Sequence, residues 1–225
     1  GGNNRGIERV LARGAEWVLV VNSDTVAEPD CVAMMLGAMQ ANPALAAVAP
    51  LIVRHDDPSR AWFAVGELSP VRAMGRHDLT MPATPEPGAV RECTFLTGCC
   101  VLFRASVLRE LGLFREDFWL YVDDVEWSWR FVRAGWKLGV VPSARLAHKV
   151  PPVEAPNTPN HIRLRDRNRR RMVRDLYPLH LRLAFACWRE PRGQVWPDAT
   201  LETGDADFDA LFADLAAQEV PREGH

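Results

Sequence analysis

Two apolar runs of strand length, separated by a single helix, constrain the fold of this chain more than any other feature. The run Glu16 to Val21 is continuously apolar after its first residue, the mark of a strand buried on both faces. It ends at Asn22-Ser23-Asp24. Pro29 then stands at a favourable first helical position, and the pattern predicts a helix to about Asn42. Ala46 to Val53 is the second run. Strand, helix, strand in that order implies a parallel α/β sheet with helices on its faces. A short helix from Gly6 to Arg13, stopped by Gly14, precedes the first strand.

From His55 to Arg91 the periodic signal weakens. Pro58, Pro70, Pro82, Pro85 and Pro87 punctuate it, and only Ala61 to Val65 reads as a strand. The pattern predicts a variable, substrate-facing loop region over about 55–92. Order returns with a strand at Cys99 to Phe103 and a helix from Ala105 to Leu111, stopped by Gly112. A helix opening at Asp123 runs to Ala134 and is capped by Gly135. Short strands follow at Lys137 to Val141 and Arg145 to Ala147. Residues 1–150 thus read as one α/β unit. Residues 151–190 read as a helical extension of the same domain, with a basic amphipathic helix over Asn160 to Tyr177. The remaining 191–225 reads as an acidic, partly disordered tail with one helix around Asp205 to Ala217.

Composition narrows the function classes. With 225 residues and 48% apolar side chains the chain can bury a substantial core. A formal net charge of −2 supplies no global attraction for nucleic acid. Five cysteines, irregularly spaced and without a C-x-x-C pair, argue against a disulfide framework or zinc site. They fit free thiols in a reducing cytoplasm. No apolar run reaches membrane-spanning length.

Three polar features sit at strand ends or at a helix start, where α/β folds place ligands. Asn22 and Asp24 flank one residue directly after a strand, and their hard oxygens suit Mg²⁺ or Mn²⁺ held against a diphosphate. A turn in which both side chains bond the local backbone explains the same letters. Asp123, Asp124 and Glu126 crowd the start of a helix after Phe118, Trp119 and Tyr121. Mutual repulsion there suits a carboxylate base beside a sugar-stacking wall, whereas helix capping and core packing are the plainer account. His148 ends a strand, and becomes a candidate metal ligand only if Asp24 stands beside it.

The ordered set of these pieces resembles glycosyltransferase family 2, particularly its bacterial rhamnosyltransferase-like branch with the GT-A fold. The matching text runs through Gly2 to Ile7, Val18 to Thr25, Thr97 to Arg104, Gly112 to Arg130, then Gly135, Pro142, Ala144 and His148. Arg167-Asn168-Arg169 resembles the segment that follows the histidine. The resemblance implies a mixed, mainly parallel Rossmann-like sheet and an inverting, metal-dependent transfer from a nucleotide-sugar. It places Asn4, Asn22 and Asp24 on the donor side, with Asp24 and His148 as metal ligands. It places Gly98, Trp119 and Asp123 on the acceptor side, with Asp124 as the general base. Asp123 stands in place of the usual glutamate, Arg115 where an aspartate is frequent, and Glu126 likewise. The implied acceptor is a glycan or lipid-linked sugar in cell-wall or surface polysaccharide synthesis, and rhamnose is the sugar the branch implies.

Family members begin with a strand and helix that hold the nucleotide, and nothing here corresponds to them. The expectation is an N-terminally truncated fold whose isolated chain binds donor weakly, and a sugar-nucleotide-binding homologue without turnover is the alternative. Arg163, Arg165, Arg167, Arg169, Arg170, Arg171 and Arg174 make a dense basic stretch. With no nucleic-acid module nearby, it reads as a solvated helix face or as peripheral contact with an anionic membrane surface.

Overall fold

Every residue of β3 (Leu45–Arg54) is buried, and the main sheet is assembled around that strand. The computed structural model describes residues 1–82, 86–118, 120–149 and 159–187, with the backbone alone at 159–161. The chain enters through α1 (Gly2–Ala12), β1 (Trp17–Val21), β2 (Thr25–Ala27) and α2 (Cys31–Ala41) before reaching β3. After it come β4 (Ala61–Phe63), β5 (Val65–Ser69), β6 (Met74–Asp78) and β7 (Arg91–Cys93). Then follow β8 (Cys100–Arg104), α3 (Ala105–Leu111), α4 (Asp123–Arg133), β9 (Lys137–His148), α5 (Pro159–Leu176) and α6 (Leu179–Cys187).

The sheet is mixed and flanked by helices, in the order β1-β8-β3-β9-β2, with β4 added to β3 and β7 to β9. β3 and β9 pair in parallel. β1 runs in the same direction as β3, but β8 lies between them and is antiparallel to both. The parallel share is therefore smaller than the strand-helix-strand order implied, because a strand from much later in the chain is inserted between the first two. Being the outer strand also explains the burial of β1. Val18 is covered, while Leu19 and Val21 are 39% and 47% exposed. The expected burial on both faces is thus corrected to burial on one.

The expected pair of short strands near residue 140 is one strand, β9. Its pairing with β3 jumps from Pro50 opposite Val141 to Leu51 opposite Arg145. Pro142 falls in the skipped stretch, where its missing N–H costs no ladder bond. Gly112 and Gly135 end their helices at φ 88° and 86°, the left-handed region their sequence positions predicted.

The stretch after His55 is more ordered than a variable loop. β5 and β6 form an antiparallel hairpin, and β4 and β7 join the main sheet. The hairpin sits on Phe95. A Cβ at Gly75 would fall 2.5 Å from the Phe95 ring, and one at Gly66 would fall 2.3 Å from the Phe95 carbonyl oxygen. Glycine lets the backbone approach that ring, and the prolines that masked the strands lie outside them. Trp127 and Phe131 of α4 pack edge-on against Phe103 of β8, with centroids 5.0 and 6.2 Å apart. Each such buried aromatic contributes about 1.5–3 kcal/mol by area alone. α4 is thereby fixed against the sheet with its first turn at the strand ends. Among the described residues no helix is long and apolar enough to cross a membrane. The expected helix at Asp205 to Ala217 lies outside the described residues.

Candidate active site

Pairing of β2 with the end of β9 sets Thr25 opposite His148, which brings Asp24 beside that histidine. Asp24 Oδ1 lies 3.3 Å from His148 Nε2. The Lys149 N–H donates to the Asp24 carbonyl at 2.9 Å and holds the crossing in place. Asn22-Ser23-Asp24 joins two strands here and does not lead directly into a helix. The turn is closed by the Thr25 hydroxyl, which donates to the Asn22 carbonyl at 2.7 Å. Asp24 is thus left half exposed and aimed at His148, which is 7% exposed. Asn22 stands exposed next to them.

His148 Nδ1 is buried and has no hydrogen-bond partner among the described residues. A ligating imidazole is ordinarily oriented through its second nitrogen. Here the ring is packed edge-on against Trp62 of β4, with centroids 4.5 Å apart. Sequence reading missed Trp62, because it lies in the stretch read as variable; a tryptophan inside the one strand-like piece there was the available signal.

The second half of the site opens α4. Tyr121 and Val122 both have positive φ, 67° and 70°, a conformation rare for non-glycine residues and rarer for a β-branched one. This turn points α4 so that Asp124 Oδ2 accepts from the Gly98 N–H at 3.3 Å, while Oδ1 accepts from the Val125 N–H at 2.9 Å. Burial, and then the neighbouring Asp123 charge, push the Asp124 carboxyl up to about 7. Asp123 is also raised, by burial first and then by Glu126. The N-cap position is Val122, which has no side chain to cap the helix, and of the two aspartates Asp124 takes one first-turn N–H, that of Val125.

Glu126 departs from the expected acidic cluster. It is 1% exposed and paired with Arg130 through both carboxylate oxygens at 2.9 Å. One helical turn carries it from the site to the interior. Phe118 likewise is largely buried, beneath the Arg115 guanidinium at 4.7 Å, and packs into the core. Trp119 lies outside the described residues.

Two consecutive residues join the halves. Gly98 bonds Asp124, and the carbonyl of Cys99, the next residue, accepts the Asn22 N–H at 2.8 Å. Burial and the nearby Asp24 push the Cys99 thiol up to about 12, so it stays protonated and unreactive. Asn4 sits further off. Its amide bonds the Phe114 carbonyl and N–H at 2.8 and 3.1 Å, with a third bond to Glu116. With Phe114, Phe118 and Asp123 it lines a cavity of about 320 Å³.

The donor set suits a hard or borderline divalent ion: one carboxylate oxygen and one imidazole nitrogen in contact, with exposed Asn22 adjacent. No group of three potential ligands gathers among the described residues, so two protein ligands would leave positions for phosphate oxygens and water.

Known proteins share these pieces. The model of the glycosyltransferase-like family 2 matches residues 2–174. An N-acetylglucosaminyl-diphospho-decaprenol L-rhamnosyltransferase of Mycobacterium tuberculosis is 29% identical over 146 residues, which is 59% of this chain and 47% of that protein. The galactofuranosyltransferase GlfT1 of the same organism is 32% identical over 152 residues, 66% of this chain and 47% of that one. The chain therefore spans about half the length of the curated relatives it matches. A crystal structure of GalNAc-T7 with UDP, GalNAc and Mn²⁺ superposes with a TM-score of 0.58 at 15% identity, over 95% of this chain and 43% of that one. That likeness establishes a GT-A-like fold. With three-quarters of its length matched by the family model, the chain belongs to the glycosyltransferase-like family 2.

Proposed function

We propose that this chain carries the catalytic carboxylate and the metal-binding corner of an inverting glycosyltransferase. Its donor is a nucleoside-diphosphate sugar and its acceptor a hydroxyl of a glycan or lipid-linked sugar. The observation that carries the reading is the residue pair Gly98 and Cys99, whose N–H and carbonyl respectively tie Asp124 to the Asn22-Ser23-Asp24 turn. Direct displacement needs a base for the acceptor proton and compensation for the departing diphosphate. Asp124 takes the proton from the acceptor hydroxyl, its oxygen bonds to the anomeric carbon, and the bond from that carbon to the diphosphate oxygen breaks with inversion. A divalent ion, Mg²⁺ or Mn²⁺, held by Asp24 and His148 would supply charge neutralisation at the diphosphate. Trp62 keeps the His148 ring in place, Gly98 and Asp123 border the acceptor side, and Asn22 borders the donor side. Asn4 serves the site by fixing the loop at Phe114. Rhamnose and galactofuranose, the sugars named for the relatives, are the first donors to test.

Nucleoside-diphosphate release from dTDP-rhamnose and UDP-galactofuranose, with a lipid-linked acceptor, checks this. Release is expected to require acceptor, to stop on chelation, to return with Mn²⁺ or Mg²⁺, and to fall by 100-fold or more (about the weight of one electrostatic contact to the leaving group) in Asp24→Asn. Turnover indifferent to chelation would sink the metal assignment. Donor binding without turnover would favour a sugar-nucleotide-binding homologue.

Membrane contact is a separate part of the proposal. Arg169 and Arg171 of α5 turn inward to the Arg72 and Asp117 carbonyls. Arg163, Arg170 and Arg174 stay exposed, as do Leu179 and Leu183 of α6 at 71% and 58%. Exposed cations with exposed leucines suit an anionic bilayer surface. Flotation is expected with anionic vesicles at low salt and is expected to vanish at high salt. Equal recovery with neutral vesicles would remove the electrostatic part.

A further inference from the structure

The basic helix α5 does more than display arginines, and its least basic member shows it. Asn168 is fully buried in the middle of the arginine run. Its Nδ2 donates both hydrogens to the turn before α4, to the Leu120 carbonyl at 2.8 Å and the Tyr121 carbonyl at 3.0 Å. Its Oδ1 accepts from Arg167 Nε and Nη2, each at 3.2 Å. The carbonyls it grips belong to the only stretch of the described residues in which two consecutive non-glycine residues, Tyr121 and Val122, hold positive φ.

We propose that Asn168 is a positioning residue: from α5 it clamps the left-handed turn at Tyr121–Val122 and so fixes where Asp124 stands against Gly98. The proposal rests on the reading of Asp124 as the base. Two successive residues in that conformation are costly and persist only where the surroundings over-determine them. The N-cap position of α4 is a valine, so no capping side chain holds the turn from that position. The hold comes from a helix some fifty positions later, and that helix is itself anchored. Met172 and Val173 are buried. Tyr177 packs on Trp129 of α4 at 4.6 Å, and Arg171 Nη1 donates to the Asp117 carbonyl at 3.0 Å. α5 thus grips both the turn and the helix that carries the base. Without the two donated bonds the turn can relax to negative φ. That rotates the first residues of α4, and Asp124 leaves the Gly98 N–H and the half-buried niche that raises its pKa.

The test uses Asn168→Leu, of similar shape but without donors, and Asn168→Ala, each alone and combined with Val122→Gly. Glycine accepts positive φ without strain, so at one of the two positions it lessens what the clamp must hold. Each single variant is expected to lower kcat by about 10- to 100-fold with donor KM little changed, as for a displaced catalytic group. Carboxyl NMR should show the Asp124 titration moving from near 7 toward the usual carboxylate range. In the Val122→Gly background the same substitutions should cost several-fold less in kcat and leave the titration nearer its parent's position. Equal losses in both backgrounds would overturn the clamp, as would an unmoved titration and kcat with only a lowered Tm. If Asn168→Leu and Asn168→Ala do not fold alone, recovery of folding with Val122→Gly supports the proposal and failure to recover overturns it. Should the parent protein turn over no donor, the proposed function fails, while the titration still decides the clamp.

Discussion

Asp124→Asn is expected to reduce glycosyl transfer by about 10²- to 10⁴-fold, the weight of a positioned general base, while leaving donor affinity within a few-fold of the parent. The amide keeps the shape, and its one oxygen can still accept from either the Gly98 or the Val125 N–H, which in the parent reach different carboxylate oxygens. What it cannot do is take the acceptor proton. The parent's kcat/KM should rise with pH through about 7, since the carboxyl is held protonated below that value by burial and by Asp123. Stability has the opposite sign. A carboxyl whose folded pKa lies above its unfolded value near 4 binds its proton more tightly when folded. Its stabilising share is present below pH 4 and is lost as pH rises through about 7. Above that, the parent carries a buried charge that Asp124→Asn lacks. The inactive variant's stability relative to the parent's should therefore rise between pH 4 and pH 8. A relative stability that does not rise over that range would mean that the carboxyl is not held above its usual range, and transfer within ten-fold of the parent's would remove Asp124 from the role of base.

Much of this arrangement was legible in the sequence, and the illegible parts share a cause. The apolar run of β3, the glycine stops at Gly112 and Gly135, and the start of α4 at Asp123 are local signals, and the structure follows them. Asp24 meeting His148 needed more, an ordered resemblance across the chain, because their contact depends on β2 crossing to β9. Local patterns could not show that β8 would enter between β1 and β3, so β1 was read as doubly buried and the sheet as mainly parallel. Prolines before β4, between β5 and β6, and between β6 and β7 broke the period that would have revealed these strands. Glu126 and Asn168 failed in opposite ways. The glutamate looked like a site residue and is internal; the asparagine looked like part of a solvated basic face and is buried against the site. In both cases the partner is remote or on the far side of a helix turn. Asn168 did carry a signal, since Met172 follows it by four positions on the same helical face.

Arg130→Met is expected to destabilise the folded protein by about 3–5 kcal/mol, the cost of leaving a buried charge without its partner. Glu126 is 1% exposed, and the Arg130 side chain 19%. The guanidinium uses its whole set of donors. Nε and Nη2 reach the two oxygens of Glu126 at 2.9 Å. Nη1 donates to the Leu111 and Gly112 carbonyls at 2.5 and 2.9 Å, and Nη2 also donates to the Leu113 carbonyl at 2.9 Å. Those carbonyls end α3, whose last turn has no further helix to accept from. One side chain therefore closes α3, neutralises Glu126 and ties both to α4, the helix that carries Asp124. Methionine can fill the volume but supplies none of the donors. Urea unfolding should show a lower midpoint with an unchanged slope. The double variant Glu126→Gln/Arg130→Met should recover part of the loss, because the neutral amide is cheaper to bury than an unpaired carboxylate. Such recovery separates the cost of the stranded charge from that of the unsatisfied carbonyls, which the double variant still bears. A single variant within about 1 kcal/mol of the parent would mean that solvent reaches Glu126 and that the pair contributes no more than a surface salt bridge.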